Sequence, residues 1–325
     1  MRITTAGSVP GTDFAGALAA MTELTPDIVA WPELPARGVG SQLVGHALGI
    51  IDGLGFDLQP GGWRLAAHAG ADHRRARATW RHNLDDAEEV LQGFQGALKV
   101  GVAGPWTLSA MVDRPAGDRL LADHGARREL AQALEQAVGS LLGELERRVP
   151  GVDVWLQVDE PLLVAVSSGA VATASGFSRH RAVDDPAIVA ALAPLIRLRE
   201  HSSIHCCAAG DWLGLADHAG ASAVAVDSRW FRTVGELEVL ARWLDAGRDL
   251  ILGVVDTSHS KPQPTDALVA EALRVLRPLE LGAERAAPHV VLGTGCGMAG
   301  AAAGDIAPQL RALREAAGLV EDLLT

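Results

Sequence analysis

The chain has 325 residues, 48% of them hydrophobic and 21% charged, an ordinary globular composition that supplies a sizeable core and argues against disorder. Its formal net charge of −12 opposes binding to phosphate backbones, and Lys99 and Lys261 are its only lysines, so nucleic acid is excluded as a partner. No run approaches the ~18 to 20 apolar residues of a membrane span, "MRITTAGSVP" has no apolar signal core, and three cysteines make no secreted disulfide framework; a cytoplasmic protein with reduced thiols and no membrane contact is expected.

Short apolar, β-branched runs that end in turn or functional residues recur along the chain and predict eight strands. In order they are "RITTAGS" (2–8), "DIVAWPELP" (27–35), "LKVGVAGPWT" (98–107), "VDVWLQVDEP" (152–161), "SSIHCC" (202–207), "SAVAVDS" (222–228), "LILGVVD" (250–256) and "HVVLGTGCG" (289–297). Helical spacing separates them. In 126–148, Leu130, Leu134, Val138, Leu141, Leu142 and Leu145 recur at i, i+3 and i+4, and Pro150-Gly151 stops the helix. Segments 236–246, 265–277 and 306–323 follow the same pattern, with Thr265 as an N-cap. The long connection 36–97 is expected to hold two helices, and 162–199 carries the small-residue patch "SSGAVATASGFSRH". Eight strands alternating with helices predict an α/β fold, a (β/α)8 TIM barrel forming a single domain over 1–325 with loop elaborations; a doubly wound sheet is the runner-up.

In such a barrel, chemistry gathers where strands end. The predicted strands end in Gly7-Ser8, Glu33, Asp159-Glu160, His205 with Cys207, Asp227, Asp256 with His259 just beyond, and Cys296. Side chains on a strand alternate faces, so His205 and Cys207 point one way and Cys206 the other. A lone His-x-Cys is as compatible with core and surface as with a ligand pair. Together with Cys296 as a second sulfur and Asp227 as an oxygen donor, it makes a borderline-soft set suited to Zn2+. A redox pair is disfavoured, because neighbouring Cys206 and Cys207 form only a strained bond. "GCGMAG" (295–300) formally matches a dinucleotide fingerprint, but it lies after the last strand instead of in an early βαβ unit; its glycines are expected to free the backbone that turns Cys296 toward a metal. Asp159 and Glu160 are expected to hold a cationic group in the barrel mouth. His259, in a chain without tyrosine, is the best proton donor.

The ordered set "TTAGSVPGT", "GPWTLSAMV", "QVDEPLL", "IHCC", "AVAVDSR", "GVVDTSHS" and "GTGCG" resembles the cobalamin-independent methionine synthase family, in its single-barrel form, within the superfamily that also holds uroporphyrinogen decarboxylase. The resemblance implies a cytoplasmic zinc methyltransferase of methionine biosynthesis, with zinc on His205, Cys207, Asp227 and Cys296 binding the homocysteine sulfur. It implies that Ser8 and Asp159 hold the amino-acid part of homocysteine, and that His259 protonates the leaving group. Asp227 stands where the family has Glu, Met111 where it has a folate-packing Trp, and "QLVG" (42–45) where it has an acidic element, whose charge Glu33 would replace. Methylfolate and a methylated corrinoid protein are both carried as methyl donors. Another thiol substrate, a zinc barrel without catalysis and a zinc hydrolase are the rival readings; the hydrolase is disfavoured because "RITTAGS" lacks a His-x-His.

Overall fold

The computed structural model describes residues 1–259 and 261–324. Its strands, in chain order, are β1 (Arg2–Ile3), β2 (Ile28–Ala30), β3 (Gly55–Gln59), β4 (Gly62–Ala66), β5 (Gly96–Ala103), β6 (Val152–Asp159), β7 (Ser202–Cys206), β8 (Ala223–Asp227), β9 (Asp249–Val255) and β10 (Val290–Thr294). All eight strands expected from the sequence are present, and they form one parallel sheet in the order β1-β10-β9-β8-β7-β6-β5-β2. The seam between β1 and β2 is closed at the top by a parallel bridge between Ser8 and Glu33, with Val9 N donating to Glu33 O at 2.9 Å. The result is the (β/α)8 barrel.

Period-two alternation divides each strand between two environments. Outward residues such as Ile204, Cys206, Val224, Val226, Leu250 and Leu252 are buried under the helices. Inward, the lower barrel is plugged by Ile28, Ala97, Trp155, Ala225, Ile251 and Val291. Two residues further along the same strands the inward layer turns polar, with Lys99, Gln157 and Asp227, and this layer floors the site.

The helices end where local chemistry stops them. His124–Arg148 begins at Asp123, whose carboxylate accepts from Gly125 N and Ala126 N, and it buries the leucine stripe seen in the sequence. The helix expected at 265–277 is Thr265–Leu276, but Thr265 is its first turn and not its cap: the cap position falls on Pro264, and Thr265 Oγ1 donates instead to Glu315 Oε2 at 2.8 Å. Connection 36–97 holds the helices Leu43–Leu48 and Ala71–Val90, as expected, and also an antiparallel hairpin of β3 and β4. That hairpin turns at Pro60-Gly61, with Gly62 at φ 124°, and buries Phe56 and Trp63 from alternating positions. In 162–199 the chain forms the short helix Leu163–Ser167, a bridge between Ala172 and Arg179, and the helix Asp185–Ile196. Among the described residues no helix is long and apolar enough to cross a membrane.

One close approach admits the loop after β10. A Cβ on Gly253 would lie 2.4 Å from Gly295 Cα and 2.7 Å from Val226 O, so β9 must be bare there for the Cys296 loop to fold inward. Gly253→Ala is expected to cost ~1–3 kcal/mol or more by overpacking against backbone. Gly143→Ala, on an open helix surface with nothing within 4 Å, should instead gain about 0.5–1 kcal/mol. Denaturant unfolding of the two variants checks the pair; equal effects would contradict the packing argument.

Candidate metal centre

Strand register builds the site. Asp159 at the end of β6 pairs with His205 on β7, and His205 pairs with Ala225 on β8, so Cys207 and Asp227 lie one step beyond the last paired residues, Cys206 and Val226. The loop after β10 brings Cys296 across the mouth until its Sγ lies 3.5 Å from Cys207 Sγ. One ligand atom each of His205, Cys207 and Cys296 then falls within 4.8 Å of the others, a grouping that could hold a metal ion. Cys206, as its parity requires, is buried among the outer apolar residues.

The imidazole of His205 is fixed from behind. Nδ1 donates to Asp159 Oδ1 at 2.7 Å, and the same oxygen accepts from Gln157 Nε2 at 2.8 Å. Nε2 lies 3.5 Å from Gly295 O; with the proton on Nδ1 its lone pair would be available to a metal, the usual arrangement for a ligating histidine. Burial pushes the His205 pKa down, but the hydrogen bond and charge of Asp159 outweigh it and the net shift is upward.

The two thiols are unequal. The contact with Cys207 holds Cys296 down to about 6, helped against burial by the charge of His205 and by the backbone N–H of Gly297. Cys207 is correspondingly pushed up, and burial raises Cys206 to about 12. Two sulfurs and one imidazole nitrogen, one of the sulfurs already anionic near neutrality, fit zinc in donor softness and protonation state. The glycines flanking Cys296 serve close approach, not backbone freedom: neither has a left-handed φ, a Cβ on Gly295 would sit 3.0 Å from Asp227 Cγ, and one on Gly297 would overlap Ser8 Oγ.

Beside the triad lies a buried charge cluster. Lys99 Nζ donates to Thr5 O at 2.6 Å and to Gln157 Oε1. Burial lowers Lys99 to about 8 against the pull of Asp159 and Glu33. Glu33 is raised well above the carboxylate range, by burial first and by the charge of Asp159 second. The two acids flank Gly101, where a Cβ would be 3.0 Å from both Asp159 Oδ2 and Glu33 Oε1. Ser8, bridged to Glu33 and accepting at its carbonyl from Met298 N at 2.8 Å, completes this wall beside the Cys296 loop.

Three further groups lie outside the triad. Glu160 does not face the mouth: it accepts from Trp106 N, Thr107 N and Thr107 Oγ1 and thereby caps the helix Pro105–Met111, while burial raises it to about 7. Asp227 is inward and buried but is not one of the clustered donors; both its oxygens are taken by Arg229. His259 stands at the rim, its side chain 69% exposed, with Nδ1 3.0 Å from Asp256 Oδ2. Lys99, Gln157 and Arg229 are the participants that sequence reasoning passed over. Their signal was available: polar residues in inward phase within otherwise apolar strands, and an arginine two residues after an acid.

The unequal thiols give a direct test. In metal-free protein at pH 7, iodoacetamide should modify Cys296 first and leave Cys206 unmodified; the Cys296 rate should fall as pH drops through about 6, where its thiolate is protonated. Peptide mapping after timed labelling reads this, and faster labelling of Cys206 would overturn the assignment of inner and outer faces.

No protein-family model matches the chain, and no curated protein does. In structure the chain is similar to a B12-independent methionine synthase from Shewanella sp. W3-18-1, solved in complex with selenomethionine, with a TM-score of 0.64 and 14% identity over 99% of this chain and 98% of that one. At that identity the likeness establishes the fold, a (β/α)8 barrel matched along nearly the whole of both chains.

Proposed function

We propose that the protein is a zinc-dependent thiol methyltransferase that converts homocysteine, or a closely similar amino-acid thiol, to its S-methyl product. The observation that carries this reading is the His205, Cys207 and Cys296 triad, backed by Asp159, at the mouth of a barrel whose structural neighbour was solved with a methionine analogue.

Zinc, when bound by His205, Cys207 and Cys296, would keep a substrate thiol deprotonated yet nucleophilic at neutral pH, where a free thiol of pKa about 8.5 is mostly protonated. The chain's own groups do the rest. Asp159 fixes the ring of His205 and keeps Nε2 available. Asp159, Glu33 and Ser8 form an acid-rich wall that suits a substrate ammonium group, and the raised pKa of Glu33 falls when that positive charge arrives. As the new S–CH3 bond forms, the bond from methyl to donor breaks, and the leaving group takes a proton where its basicity demands one. His259, held at Nδ1 by Asp256 and open at Nε2, is the proposed donor.

The methyl source is proposed as methylfolate or a methylated corrinoid. Trp106, the one indole near the position of the family's folate-packing residue, is buried and donates to Ile188 O at 3.1 Å, and Met111 is exposed. Neither position puts an aromatic ring at the rim, and neither selects between the two donors.

Metal analysis of purified protein should find about one zinc per chain, lost in Cys207→Ser. Asp159→Asn, which removes the charge but keeps a hydrogen-bonding group, should weaken zinc by about 10–100-fold through loss of the orienting partner. Incubation of the zinc protein with homocysteine and either methylcobalamin or methylfolate should yield methionine with at least one of them; none with either donor would refute the activity.

A further inference from the structure

Asp227 has the phase and height of a ligand yet is committed elsewhere. It lies inward at the level of Cys207, its side chain 2% exposed. Oδ1 accepts from Arg229 N and Nε, both at 3.0 Å, and Oδ2 from Nε at 3.0 Å and Nη2 at 2.7 Å. Arg229 is anchored in turn: Nη1 reaches Asp256 Oδ1 at 2.9 Å and Ser258 Oγ at 3.2 Å, and the guanidinium lies 5.7 Å from the Trp230 ring centre. A planar fork on a buried carboxylate is among the strongest side-chain pairings, and removing one partner leaves an uncompensated charge in a low dielectric. To reach a metal beside Cys207, Asp227 would have to abandon this pair. Gly295 packs against the carboxylate on another side and leaves it little room to turn.

We infer that Asp227 is not a metal ligand: Arg229 holds it away, the metal is carried by His205, Cys207 and Cys296 alone, and the fourth position is kept for the substrate sulfur. The inference rests on the zinc reading above and deepens it. Charge arithmetic favours it. Zinc with two thiolates and a neutral imidazole is a neutral centre, and an arriving thiolate makes it singly negative. A bound carboxylate would make the resting centre negative already, so the substrate would have either to displace it or to raise the charge further. An open neutral position is the usual arrangement of a catalytic zinc site, whereas four protein ligands close it. Arg229 is thus a positioning residue. It continues through Asp256 to His259, so one ionic chain links the acid beneath the Cys296 loop to the rim histidine.

The test is a zinc titration of metal-stripped protein against a chromophoric chelator, with Asp227→Asn, the double variant Asp227→Asn/Arg229→Gln, and Cys296→Ser. The double variant removes both charges while keeping hydrogen-bonding groups, so that an unpaired arginine does not confuse the result. Both Asp227 variants should bind zinc within about tenfold of the unaltered protein, whereas Cys296→Ser should lose more than about 100-fold. With cobalt(II) as probe, the sulfur-to-metal absorption band should be the same in unaltered protein and Asp227→Asn, and should grow by about half in both when homocysteine adds a third sulfur. Asp227 variants that lose zinc as Cys296→Ser does, or whose cobalt spectrum shifts, overturn the three-ligand site and leave the zinc reading intact. Unaltered protein that takes up no zinc overturns both.

Discussion

The hydrogen bond between His205 Nδ1 and Asp159 Oδ1 is the interaction on which the site depends. It exists because β6 and β7 are parallel neighbours in a register that pairs these two residues directly, both in the inward phase. From it follow the histidine tautomer, the direction of Nε2 and the tolerance of an almost fully buried carboxylate. Asp159 in turn is steadied by Gln157 from two residues back on its own strand, and Gln157 by Lys99 on β5. Three strands are therefore locked by side chains as well as by backbone, at the height where the packed plug gives way to chemistry. Such a network needs every member, because a half-satisfied buried polar group costs more than an apolar substitute.

The charges in the mouth are deliberately unbalanced in one sense. Two acids, Glu33 and Asp159, face one buried lysine whose own charge is weakened by burial. In the free protein burial, and then the charge of Asp159, raise Glu33 well above its ordinary value. A cationic group entering between the acids would act against that rise, and the interaction would be strong in so buried a place. An anion placed at the same spot would worsen the repulsion. The wall would thus favour a cationic over an anionic group beside His205, Cys207 and Cys296, the polarity that the proposed amino-acid thiol requires.

Much of this was legible in the sequence because it rests on periodicity. The eight strands appear as apolar runs with polar ends, and the inner position of His205 and Cys207 follows from counting by two. The hairpin at 55–66 was not seen, although Pro60-Gly61 between alternating Phe56 and Trp63 is a turn signal; the alternation is short and its partner face is another part of the same loop. Glu160 looked like a twin of Asp159 but has the opposite phase, so it points outward and serves a helix end. The commitment of Asp227 is harder to read. Parity correctly puts it inward, and only the competition between a metal and a nearby guanidinium decides what it does there.

The same parity explains how two adjacent thiols come to differ. Cys206 and Cys207 share a local sequence and a local backbone, yet one is pushed to about 12 by burial under the helices while the other meets Cys296 in the mouth. The distinction is made by the sheet and not by the residues. A slip of β7 by one position would exchange their faces, bring Cys206 into the mouth and take His205 away from Asp159. Register is therefore part of the chemistry, and it is held by the pairing of Asp159 with His205, which only the correct alignment allows.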